Sequence, residues 1–345
     1  MTGPMLPPVL ILSTGRCGST MVSDLLNRHP AVLSLSEFFV PLGSRAFRWS
    51  RPDGARMWRT YAEQSPALHA MLKDGQVVDE MLYPLDAPGA RYGAANLPPI
   101  MMVTLPHLTD QPEALFDELA PFVSGQPAMP LAEHYHALFG QLAARFGRRI
   151  WAERSGGSLM LAAKLLRLFP EARVIHVYRD GRDTAMSMAQ HHNFRVLVGA
   201  IKASRRFGLE PTADFTRDRV PPFRPLVERL AFSFLDIRRV ASNVTLADLG
   251  AFWSRLIMVG EEVLGQLPPE RLFNLRFEDL QRAPRETLRD MIRFMDPSLE
   301  DAAWLDAASA VPRPARSKFA NLPPAEQAAL TAACAPGLEA LGYPI

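Results

Sequence analysis

Short apolar runs along the chain alternate with stretches of helical period. Five of them, at 9–12 (Val9-Leu10-Ile11-Leu12), 31–35, 149–153, 174–178 and 272–277, read as strands. Short, nearly continuous apolar runs suit a sheet covered on both faces. Met21, Val22, Leu25 and Leu26 give one helical face that stops at Pro30. Further helices are predicted over 159–169, ahead of Pro170, over 181–191 and over about 248–266. Strands alternating with helices imply crossover connections and a parallel sheet, hence an α/β fold in which helices flank a central sheet. Two stretches, about 38–148 and 194–245, break this rhythm. The first is proline-rich, with helical patches at 57–73 and 131–146, and the second holds Pro221-Pro222 and many arginines. Both are too long for connectors, so they read as insertions forming a lid or substrate wall within one domain, 1–345.

Composition narrows the class. The chain has 345 residues, 48% of them apolar, and a net charge of +2, which points away from a nucleic-acid coat and from membrane steering. Lysine occurs only at 73, 164, 202 and 318, so the cationic chemistry falls to arginine. Guanidinium forks suit phosphate and sulfate, although a GC-rich genome produces the same bias. Cys17 and Cys334 make neither a disulfide framework nor a metal cluster. The first apolar run has no basic flank and is too short for a signal peptide or a membrane span, which predicts a cytoplasmic protein.

The most informative segment is Ser13-Thr14-Gly15-Arg16-Cys17-Gly18-Ser19-Thr20, between the first strand and the first helix. A glycine loop at that junction aims backbone N–H groups and a helix start at one point, as a phosphate requires. It is not a Walker A loop, because no lysine precedes Ser19 and its one charge is Arg16. Ligands of an open parallel sheet bind beyond the carboxyl ends of its strands. Glu37 follows the second strand there, Arg154-Ser155-Gly156-Gly157-Ser158 the third, and Arg179 the fourth, with Ser187 two helical turns further on. Three arginines, one carboxylate and several hydroxyls can hold a dianion and supply one base. Singly, each has a blander reading. Arg16 can be a loop charge, Glu37 a helix cap, and Arg154 the partner of an acid. Ser187 can be a small helix residue, His176 a satisfied core histidine, and His191 and His192 packing groups.

Together these residues resemble the sulfotransferases that use 3′-phosphoadenosine 5′-phosphosulfate (PAPS). The segment 13–20 looks like their 5′-phosphosulfate loop, and 173–188, with Arg179 and Ser187, like their 3′-phosphate motif. Arg16 is similar to the arginine of tyrosylprotein sulfotransferases and many bacterial relatives, where small-molecule enzymes carry lysine. The resemblance implies a three-layer P-loop NTPase-like fold, PAPS as sulfuryl donor without a metal, and an acceptor hydroxyl on a small or lipid-like molecule. It implies Glu37 as general base and Arg16 and Arg154 as partners of the leaving phosphate. Donor contacts are implied at Gly15, Arg16, Cys17, Gly18, Ser19, Thr20, Arg179 and Ser187, and at Lys318 in a closing loop, Arg316-Ser317-Lys318. Phe38, Phe39, Phe47, Trp49, Trp58, Met101 and Met102 can line an acceptor site, though most read as core. The competing readings are a P-loop kinase or NTPase, which needs Mg²⁺, and a non-catalytic nucleotide-binding protein, which has no use for Glu37.

Overall fold

The computed structural model describes residues 5–64, 68, 69, 72, 81–85, 87–205, 241–314 and 317–345. Five strands, β1 Val9–Ser13, β2 Val32–Ser36, β3 Ile150–Arg154, β4 Arg173–Tyr178 and β5 Leu272–Arg276, form one sheet in the order β2-β3-β1-β4-β5. Every pair in it is parallel. Each strand begins and ends within one residue of its predicted limits.

The helices are α1 Ser19–Asn27, α2 Phe39–Leu42, α3 Gly54–Ala62, α4 Pro99–Met102, α5 Thr104–Leu108, α6 Pro112–Ser124, α7 Leu131–Arg145, α8 Ala162–Leu168, α9 Gly181–Ala189, α10 His192–Arg205, α11 Leu246–Leu264, α12 Phe277–Arg282, α13 Pro284–Met295, α14 Ala302–Ser309 and α15 Pro324–Ala340. Alternate residues of each strand serve opposite layers. Val9, Ile11, Val32, Ile175 and Val177 pack with Leu25 of α1, Met291 of α13 and Trp304 of α14. Leu10, Leu12, Leu33, Leu35 and Val174 pack with α2 to α4, α6 to α11 and α15. This sandwich of helices, sheet and helices is the P-loop-like α/β arrangement that the resemblance implied.

The stretch 38–148 holds more helix than its prolines suggested. Pro99 and Pro112 stand in the first turns of α4 and α6, where their missing N–H groups cost nothing, and Pro121 is accommodated inside α6. These helices also build core. Phe38, Phe39 and Met101 are buried, and Phe38 lies 4.8 Å from the Phe139 ring of α7. Phe47 and Trp58 are partly buried, Met102 is buried, and Trp49 alone of the proposed acceptor wall is exposed. In the second stretch α10 continues to Arg205, and Lys202 pairs with Asp248 in the capping box of α11 at 2.7 Å. Pro221-Pro222 and the rest of 206–240 lie outside the described residues, as does Arg316. Among the described residues no helix is long and apolar enough to cross a membrane.

Candidate active site

The loop after β1 places three demands on the backbone within four residues. Gly15, Arg16 and Gly18 all have positive φ, at 79°, 58° and 90°. Gly18 is also the N-cap of α1 and has no space for a side chain, since a Cβ would stand 2.1 Å from the Phe277 ring. A Cβ on Gly15 would stand 2.7 Å from Phe194 of α10. The only non-glycine residues of positive φ among those described are Arg16 and Glu37 (52°), and both belong to this site. Such conformations cost on the order of 1–3 kcal/mol and persist where surrounding structure enforces them. Ser13 Oγ enforces this one by accepting the Gly15 N–H at 3.3 Å and donating to Ser19 Oγ at 3.1 Å. Cys17 is fully buried, with Sγ donating to the Val177 carbonyl at 3.2 Å, so it fastens the loop to β4.

Glu37 and Arg154 end neighbouring strands, and the sheet register brings their backbones together. The Glu37 N–H donates to the Arg154 carbonyl at 2.7 Å, and Thr104 Oγ1 of α5 donates to the Ser36 and Glu37 carbonyls. The side chains form a buried ion pair, with Arg154 1% and Glu37 4% exposed. Arg154 Nη1 donates to Glu37 Oε1, which also receives the Gly156 N–H at 2.8 Å. Arg154 Nε donates to Ser19 Oγ at 3.1 Å and Nη2 to Thr20 Oγ1 at 2.7 Å. Three of its five N–H donors are thus engaged, and Arg154 links Glu37 to the first turn of α1. Glu37 is no helix cap, because α2 follows Phe38 without a side-chain cap bond.

Sequence reasoning missed the carboxyl behind this pair. Glu153 is fully buried, and its Oε1 accepts Ser155 Oγ–H at 2.6 Å and the Phe39 N–H at 3.4 Å. Burial pushes its pKa up to about 8, and the Glu37 charge adds to the shift. Glu153 therefore stays protonated at neutral pH. A signal for it was present, since a strand buried on both faces leaves no solvated direction for an acid at its end.

The other predicted residues divide. Arg16 Nε donates to Ser187 Oγ at 3.3 Å, which joins the glycine loop to α9. Arg179 stands 3.7 Å from Asp183 and 5.7 Å over the Phe277 ring, on a hollow of about 410 Å³ that Asp183, Arg276 and Ser317 also line. Ser317 Oγ and the Lys318 N–H both donate to Asp183, at 2.9 and 3.1 Å. Lys318 thus reaches α9 through its backbone, and its side chain is exposed. His107 is engaged on both ring nitrogens, by Ser34 O at 3.2 Å and Asp24 Oδ1 at 3.1 Å. His176 is buried as expected, with Nδ1 3.5 Å from a Glu261 carboxylate oxygen.

A family model described as "Sulfotransferase family" matches residues 7–218, more than half of the chain. The chain belongs to the sulfotransferase family. A second model, "Sulfotransferase domain", matches residues 159–309. Solved sulfotransferase structures align over nearly all of it. The sulfotransferase domain from the curacin biosynthetic pathway is 14% identical, covering 99% of this chain and 100% of that one at a TM-score of 0.48. The sulfotransferase domain of the Synechococcus PCC 7002 olefin synthase is 15% identical, with coverages of 99% and 96% and a TM-score of 0.45. Sulfotransferase STF9 from Mycobacterium avium is 15% identical, with coverages of 99% and 79% and a TM-score of 0.44. No curated protein matches the sequence. The reaction class of this sulfotransferase is accordingly sulfuryl transfer.

Proposed function

We propose that this one-domain sulfotransferase moves the sulfuryl group of PAPS to an acceptor hydroxyl, with Glu37 as general base. The observation that carries the reading is the buried Glu37–Arg154 pair, whose arginine also holds Ser19 and Thr20 at the start of α1. A proton acceptor and a phosphate cradle are thereby fixed to one another. In the proposed step the acceptor oxygen bonds to sulfur while sulfur's bond to the bridging phosphate oxygen breaks. The acceptor proton passes to Glu37, and the electron pair leaves with adenosine 3′,5′-bisphosphate. Arg16, the loop N–H groups and the remaining Arg154 donors meet the charge growing on the leaving oxygen as preorganised donors. Arg179, beside its hollow, and Ser187, already bonded to Arg16, suit the 3′-phosphate and so hold the donor in register.

A thermal-shift comparison tests the donor assignment. Adenosine 3′,5′-bisphosphate raises the melting temperature more than ADP or AMP. At about a hundred times its dissociation constant it adds roughly 2.7 kcal/mol. The preference disappears in Arg179→Ala. Equal shifts with all three nucleotides refute the donor, and labelled PAPS with a panel of hydroxyl compounds then identifies the acceptor.

A further inference from the structure

Eight residues after Glu37 the chain enters a strongly basic segment. Residues 45–63 carry five arginines against Asp53 and Glu63, a net of three positive charges in a chain whose total is +2. Among the described residues Arg48, Arg51 and Arg59 make no ion pair, and Arg56 has only the half-exposed Asp53 at 3.8 Å. Asp53 is itself occupied as the N-cap of α3, accepting the Arg56 N–H at 2.8 Å.

The cluster is held in place rather than merely solvated. Arg45 donates to the Glu63 and Arg59 carbonyls and so caps the end of α3. The guanidinium groups of Arg48 and Arg56 stand 4.7 and 5.1 Å from the centre of the Trp49 ring, which is 37% exposed. On α3, Arg56 shares a face with Arg59 and Thr60, three and four residues on. These side chains, with Arg45 and the exposed Glu63, line a hollow of about 160 Å³. Ligand pockets for whole small molecules run to about 300–1,000 Å³, so this hollow suits one group and not a nucleotide. Four guanidinium groups against one carboxylate leave the hollow with an excess of positive charge, which matches the oxygens of a tetrahedral dianion.

We propose that Arg48, Arg56, Arg59 and Thr60, with Trp49, form a binding site for a phosphate monoester group, separate from the glycine loop. The hollow opens to solvent, so the ester's organic part lies outside. The site does not depend on the PAPS reading.

The Trp49 indole N–H resonance, assigned with Trp49→Phe, reports on the hollow directly. It is followed while inorganic phosphate, glycerol 3-phosphate or acetate is added at constant ionic strength. Both phosphates shift it saturably and acetate does not. Arg48→Gln and Arg59→Gln, each made singly, weaken binding by about tenfold or more, whereas Arg51→Gln, which removes the same single charge outside the hollow, leaves it unchanged. All three arginines are exposed, and matching melting temperatures show that the variants fold. The proposal is overturned by the absence of a saturable shift, by an equal response to acetate, by binding of inorganic phosphate alone, or by an equal loss in Arg51→Gln.

Discussion

Glu37 carries two burdens that a substitution can separate. Its carboxylate neutralises Arg154, and in the proposed reaction it also receives a proton. Glu37→Gln keeps an oxygen for Arg154 and the Gly156 N–H but leaves a buried guanidinium without its counter-charge. Removing one partner of a buried pair outright costs about 3–5 kcal/mol. The amide retains the hydrogen bonds, so the variant melts lower than wild type yet folds and binds adenosine 3′,5′-bisphosphate. Turnover of labelled PAPS falls by roughly the 10²–10⁴ of a general base. Turnover close to wild type moves the base elsewhere, and His192, whose Nε2 is buried without a partner among the described residues, is then the next candidate.

At the scale of elements, the junction of β1 with α1 leaves little room for substitution. Gly18 combines a φ of 90° with a Phe277 ring that occupies the place of a Cβ. Gly18→Ala therefore displaces either the loop or α12, with expected destabilisation of about 2 kcal/mol or more from the backbone and the overlap together. Bisphosphate affinity falls with stability. A wild-type melting temperature in this variant refutes the tight junction. The sequence announced this element well because strand, glycine loop and helix succeed one another within about twenty residues. Local order sufficed for all five strands as well. It failed for α4 and α6, where prolines read as breakers but sit at helix starts. It also failed for contacts made across long separations. Phe194 and Phe277 close over the loop from α10 and α12, and no local pattern links them to it. Arg154 was placed correctly at a strand end, but its three simultaneous partners depend on the sheet order β2-β3-β1, which pattern alone does not fix.

For the molecule as a whole, two buried groups shape the dependence of stability on pH. Glu153 ionises near 4.5 when solvated and near 8 in the fold, where burial disfavours its charge. Between those values the unfolded chain has lost a proton that the fold retains, so stability falls as pH rises. His176 behaves in the opposite sense. Burial lowers its pKa from 6.5 to about 4, so between those values the unfolded chain binds a proton that the fold refuses, and stability rises with pH. Each group contributes about 1.4 kcal/mol per pH unit within its window. The two slopes oppose one another from about 4.5 to 6.5 and largely cancel. From about 6.5 to 8 only Glu153 of the two still titrates, and its contribution to stability declines by roughly 2 kcal/mol over that interval before levelling off. Glu153→Gln reproduces the neutral acid in shape and still accepts from Ser155 and the Phe39 N–H. It abolishes the decline above pH 6.5 and uncovers the His176 limb, so the variant loses stability on acidification where wild type is nearly flat. Urea midpoints of both proteins across pH 5–9 decide the matter, because a decline of the same size in Glu153→Gln assigns the titration to another group.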